Sequence, residues 1–180
     1  MKQVVVVFLM AVTPLLGFSQ SIFDKYEDMD NVGSVVINKG LINLVSSIDI
    51  DDGDQEAKDF VDVARGLDGI KVFITEDKGV STDMHNTIRK YVKSSSLEEL
   101  MRVKDKDANV KFYIKNGKND DHVYELLMFV QGINDSHIGI DGRKFESILV
   151  SLTGDIDLNK VSALTKKMNL PDELNKVGNK

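Results

Sequence analysis

Three histidines, two groups of closely spaced carboxylates and a serine run are the side chains whose types and spacing raise a question of chemistry. The histidines are His85, His122 and His137. No HxH, HxxxH or HExxH spacing relates them, and those are the spacings by which one element presents two ligands to zinc. His85 falls early in an expected helix, His122 at a strand start and His137 in a loop, so surface or partly packed roles are expected. Asp49-Ile50-Asp51-Asp52-Gly53-Asp54 invites a calcium reading. Counted from Asp49, however, Gly53 falls fifth rather than sixth, and Phe60 occupies the twelfth position where the EF-hand needs Glu. An acidic lead-in to a helix accounts better for this run, because acids favour the positive end of a helix dipole; a loose calcium site is the minority alternative. Asp155 and Asp157 are close enough to suggest the acid/base pair of a hydrolase, but a turn-forming Asp155 and an N-cap Asp157 explain both. Ser94, Ser95 and Ser96 belong to no G-x-S-x-G or supported S-x-x-K arrangement and read as a helix break and cap. Gly117, Gly132, Gly139, Gly142 and Gly154 are separated turn residues, not a phosphate cradle. Tyr113, Tyr124 and Phe129 are either an exposed aromatic platform or core and cross-strand partners. No catalytic, cofactor-binding or metal-binding residue is therefore assigned, and no cofactor is expected.

The elements that would position these groups are legible from periodicity. Phe23, Tyr26 and Met29 suggest a short helical turn before a strand over Val32–Asn38. Leu41, Leu44, Val45 and Ile48 recur at helical spacing and form the expected inner face of a first helix. Asp54 is the expected cap of a second, carrying Ala57, Phe60, Val61 and Ala64 and closed by a left-handed Gly66. Ile70–Thr75 is the next strand. Ser81 or Thr82 is the expected cap of a helix with Met84, Ile88, Tyr91 and Val92 inside. Ser96-Leu97-Glu98-Glu99 then reads as a capping box opening a further helix with Leu97, Leu100 and Met101 on its inner face. In Val110–Ile114 apolar and polar residues alternate, and Asn116-Gly117 signals a turn. Val123–Val130 is nearly continuously apolar and so expected to be central. Gly132–Lys144 is a polar connection with a hairpin signal at Asp141-Gly142. Phe145–Leu152 forms a buried strand, broken by Gly154. Asp157 caps a last helix whose Leu158, Val161, Leu164 and Met168 should return to that strand. The expected fold is α+β: a two-layer sandwich, a mixed or antiparallel sheet with helices mainly on one face.

The chain has 180 residues, 42% hydrophobic and 29% charged, with no cysteine. Residues 1–20 have a basic start at Lys2, an apolar core over Val4–Val12, a breaker at Pro14 and a small-polar end, which is the pattern of a secretory signal peptide. Cleavage is expected after Gln20, leaving one α+β domain over 21–171 and a C-terminal tail, 172–180, with few anchors. Without cysteine there is neither a disulfide framework nor a site for a lipid anchor. The formal charge of −6 becomes −7 in the cleaved chain, because the leader carries Lys2 and no acid. An acidic surface repels nucleic acid and anionic lipid and favours solubility.

Three stretches, VVINKGLINLV, ELLMFVQG and LTGDIDLNKVSAL, together resemble the domain-of-unknown-function family 4252, small envelope proteins of Bacteroidota. The resemblance runs in order over nearly all of the chain beyond residue 20. It implies fold and location, and contributes no catalytic residue. The expected function is that of an exported, soluble, non-enzymatic binding, accessory or signalling module of the cell envelope, periplasmic or secreted. Its partner is an envelope protein or ligand, docked on a sheet face or edge around Val110–Ile114. The alternatives are a hydrolase whose site joins His122 or His137 to sequence-distant carboxylates, and a self-associating envelope protein with an exposed apolar sheet edge or dimer patch.

Overall fold

The computed structural model describes residues 22–47, 55–104, 109–132 and 144–161, with the side chains of 55–57, 59 and 60 left out. The expected signal peptide, the Asp49–Asp54 run, His137, Gly139, the Asp141-Gly142 turn, Leu164, Met168 and the tail all lie outside the described residues.

Among the described residues there are six strands and three helices: β1 (Gly33–Asn38), α1 (Lys39–Ser46), α2 (Gln55–Arg65), β2 (Leu67–Thr75), α3 (Lys78–Ser94), β3 (Glu98–Lys104), β4 (Asn109–Asn116), β5 (His122–Gln131) and β6 (Ser147–Asp157). A 3-10 turn over Asp24–Tyr26 precedes them. The strands form one sheet in the order β1-β2-β6-β5-β4-β3, and every pairing is antiparallel. This is a mixed α+β fold, with helices packed mainly to one side of the sheet. β5 and β6 occupy the middle, as the apolar run over Val123–Val130 predicts.

Strand alternation sorts the side chains into two sets. Phe73, Leu127, Phe129 and Leu149 turn toward α3, where Met84 and Ile88 meet them together with Phe23 and Tyr26 of the N-terminal turn. Ion pairs lock that turn down. Lys71 of β2 holds Asp24 and Glu27, the latter at 2.7 Å, and the Tyr26 hydroxyl donates to Asp83 at 2.7 Å. Alternate residues, among them Ile70, Leu126 and Leu152, face a second cluster containing Ile42 of α1, Leu67, Ile114, Val123 and Ile156. Leu158 and Val161 pack against it, so the helical turn at 158–161 does fold back onto the sheet.

Several expectations are corrected. Ile42, not the Leu41/Leu44/Val45 stripe, is the buried residue of α1. α3 is capped by Asp77, whose carboxylate accepts the Val80 N–H at 2.8 Å, and not by Ser81 or Thr82. Asp77 already holds the extended backbone that an N-cap requires, one turn earlier than the serine. The capping box opens no helix. Ser96 takes a left-handed φ of 55°, the Leu97 N–H closes back on the Val92 carbonyl at 3.1 Å, and the chain leaves as β3. Backbone pairing with β4 outweighs the helical propensity of Leu-Glu-Glu-Leu-Met. Gly66 is not left-handed; its N–H makes a tight turn to the Val63 carbonyl at 3.1 Å. Finally, β6 does not stop at Gly154 but passes through it with a φ of 140° and runs on to Asp157.

Candidate functional site

At the end of the sheet where β5 begins and β6 finishes, His122 stands opposite Asp157 in the ladder. Between the paired positions Thr153–Glu125 and Ile156–Val123, β6 carries two residues and β5 one, which is a bulge at Gly154-Asp155. The positive φ of Gly154 turns the next peptide so that the Asp155 N–H reaches the Gly66 carbonyl at 2.8 Å. Only glycines allow this crossing, since a Cβ on Gly154 would lie 2.2 Å from the Gly66 oxygen and one on Gly66 2.4 Å from the Asp155 oxygen.

The bulge presents the Asp155 carboxylate to a lysine and a histidine. The Lys118 ammonium, from the β4–β5 turn, donates at 2.7 Å, and His122 Nδ1 lies at 2.5 Å. Lys118 first and His122 second hold the Asp155 carboxyl below its usual range. With Nδ1 donating to Asp155, neutral His122 carries its free lone pair on Nε2, the arrangement of a general base. The neighbouring Asp157 is engaged elsewhere. Its Oδ1 accepts the Asn159 N–H at 2.9 Å and the Lys160 N–H at 3.4 Å, the N-cap geometry expected from the sequence. His122 therefore meets one carboxylate, already shared with a lysine, and not the two that the hydrolase alternative requires. Among the described residues no group of three His, Cys, Asp or Glu could hold a metal ion.

His85 is remote from this cluster in the hydrogen-bond network, with Nδ1 2.8 Å from Gln131 Oε1 and its ring beside Phe129. The aromatic platform dissolves: Phe129 is core, Tyr113 packs against the same core, and Tyr124 is exposed. One buried ionisable side chain was not singled out from the sequence. Glu125, on the α3 side of β5, is 5% exposed and accepts the Tyr91 hydroxyl at 2.8 Å. Its phase with Leu127 and Phe129 was the available signal. Burial pushes the Glu125 carboxyl up, and burial followed by the adjacent carboxylate pushes the Tyr91 phenol up to about 12.

A different surface lies at the β1 edge. Val35 and Val36 on β1 and Leu41, Leu44 and Val45 on α1 are between 39% and 64% exposed. The stretch Val110–Ile114, by contrast, lies in β4, flanked by β3 and β5, so it offers no edge. Its Val110 and Phe112 are half-buried on the sheet face away from α3.

Among the described residues, a six-stranded antiparallel sheet with a hydrophobic cluster on each face and helices packed mainly to one side defines a small α+β domain. The chain belongs to the family described as domain of unknown function DUF4252, whose model matches residues 26–164. No curated protein and no solved structure matches it. Among the described residues, no helix is long and apolar enough to cross a membrane.

Proposed function

We propose that this chain is an exported, soluble binding module of the cell envelope, an accessory or signalling component that docks a protein and catalyses nothing. The observation that supports it is the apolar surface of Val35, Leu41, Leu44 and Val45 on the α1 side of a sheet edge, with Val36 exposed on the opposite face, in an otherwise charge-rich chain. Exposed apolar side chains grouped in this way mark interaction sites more often than solvent-adapted surface. Export rests on the leader-like residues 1–20. Mass spectrometry of protein recovered from the envelope fraction should give a chain starting at Ser21; a cytosolic chain retaining Met1 sinks the export half. For docking, immobilised wild type should retain a protein that Leu44→Lys loses, and equal retention by both counts against this surface. A hydrolase reading draws on the 2.5 Å contact of His122 with Asp155. It requires turnover of an ester or amide that His122→Ala abolishes without loss of folding.

A further inference from the structure

The two borders of the sheet are built differently. β3, at one border, carries Glu98, Glu99, Arg102 and Lys104, and its register slips between Glu99 and Met101. Charges and bulges are the devices by which edge strands avoid pairing with other chains. β1, at the other border, reads Gly-Ser-Val-Val-Ile-Asn, with no charge and no proline, and pairs with β2 in unbroken register from Gly33 to Asn38. Among the described residues its outer side is an unpaired strand edge with none of those protections. Beside it, α1 exposes Leu41, Leu44 and Val45 at helical spacing.

We propose that the partner of this edge is a second copy of the chain, with two β1 strands pairing antiparallel about a two-fold axis so that the two sheets join into one. The inference rests on reading β1 and α1 as the docking surface. Charge is what favours a second copy. Each chain carries −6, so two copies repel unless they meet on neutral ground. Between Asp30 and Asp49 the one charged residue is Lys39. That ammonium is occupied by its own chain, 2.7 Å from the Leu67 carbonyl, 3.2 Å from the Arg65 carbonyl and 3.3 Å from Asp68. Symmetry agrees. Residues opposite each other in an antiparallel ladder share a face, so an axis at Val36 sets Val35 against Ile37 of the second copy. Val35, 53% exposed in one chain, then lies beside the strand end from which the second copy's α1 springs. A two-fold axis normal to the sheet also keeps both α1 helices on one side.

Light scattering on the purified protein over a dilution series tests this. The wild type should show twice the mass of one chain, and dimerisation should tighten with added salt, because screening weakens the repulsion of two anionic chains. Val36→Lys places like charges opposite each other at the axis and should weaken the dimer by about tenfold or more. Leu44→Lys, on α1 and outside the buried core, should weaken it too, while Glu98→Lys on the other edge should not; thermal melts of each variant confirm folding. A wild type that stays monomeric at all concentrations overturns the proposal, as does a dimer unaffected by both Val36→Lys and Leu44→Lys. A monomer that still retains another protein in a Leu44-dependent way overturns the second copy alone and keeps the docking surface. A monomer that retains nothing removes both.

Discussion

Glu125 is the residue that most departs from what a packed sheet face would contain. Its carboxyl sits among apolar side chains with the Tyr91 hydroxyl as its hydrogen-bond partner. Burial raises its folded-state pKa above the unfolded value, so the folded chain holds the proton more tightly. The stabilising effect is therefore complete below the unfolded pKa and disappears as pH rises through the raised folded value. Glu125→Gln stays neutral throughout and can still accept from Tyr91. Urea denaturation from about pH 4 to about pH 7 should show wild type losing stability relative to the variant, and parallel curves would contradict this. Asp157 offers the opposite case, a carboxylate whose role was readable from sequence because capping is local. Asp157→Ala should cost about 0.5–2 kcal/mol in thermal or chemical denaturation, while Asp157→Asn should be nearly silent. An asparagine variant that melts like wild type yet loses a binding or catalytic activity would show that the charge has a second use.

At the scale of elements, the crossing of β6 over the turn before β2 depends on two glycines 88 positions apart in the chain, Gly66 and Gly154. Gly154→Ala must place a side chain at a φ of 140° and against the Gly66 oxygen, and should lower stability by at least about 1–3 kcal/mol. It should also disturb the Asp155–His122–Lys118 cluster, visible as a shifted His122 imidazole resonance; an alanine variant with wild-type melting and an unmoved resonance would refute the account. Which elements were legible follows from how local their causes are. The strands over Ile70–Thr75 and Val123–Val130 announce themselves through apolar β-branched and aromatic residues, and Asn116-Gly117 through turn chemistry. α1 is legible as a helix but its inward face is not, because its eight residues hold apolar side chains on adjacent sides and only the sheet selects Ile42. β3 is not legible because a capping box is a four-residue signal, whereas its strand is held by β4, in pairings that span 5 to 16 positions (Lys104–Asn109 to Glu98–Ile114). The His122–Asp155 contact had no sequence signature at all. It spans 33 positions and is made by a bulge whose existence depends on Gly66.

For the whole molecule, the middle of the sheet should be the last part to open. Amide exchange should be slowest in β5 and β6, which have a paired strand on each side, and faster in β1 and β3. Protection of β1 equal to that of β6 in a monomeric sample would contradict this ordering, whereas in a sample that scatters as a dimer it would be expected. The strand order also sets a timetable. Among the described strands β6 is the last in sequence, yet it lies between β2 and β5. Without β6, the paired β1 and β2 and the β3–β4–β5 meander are two half-sheets with no strand between them. The long-range pairing that joins these strands therefore waits for the last of the described strands. A polypeptide of this topology becomes a domain when a single strand slots between two waiting halves.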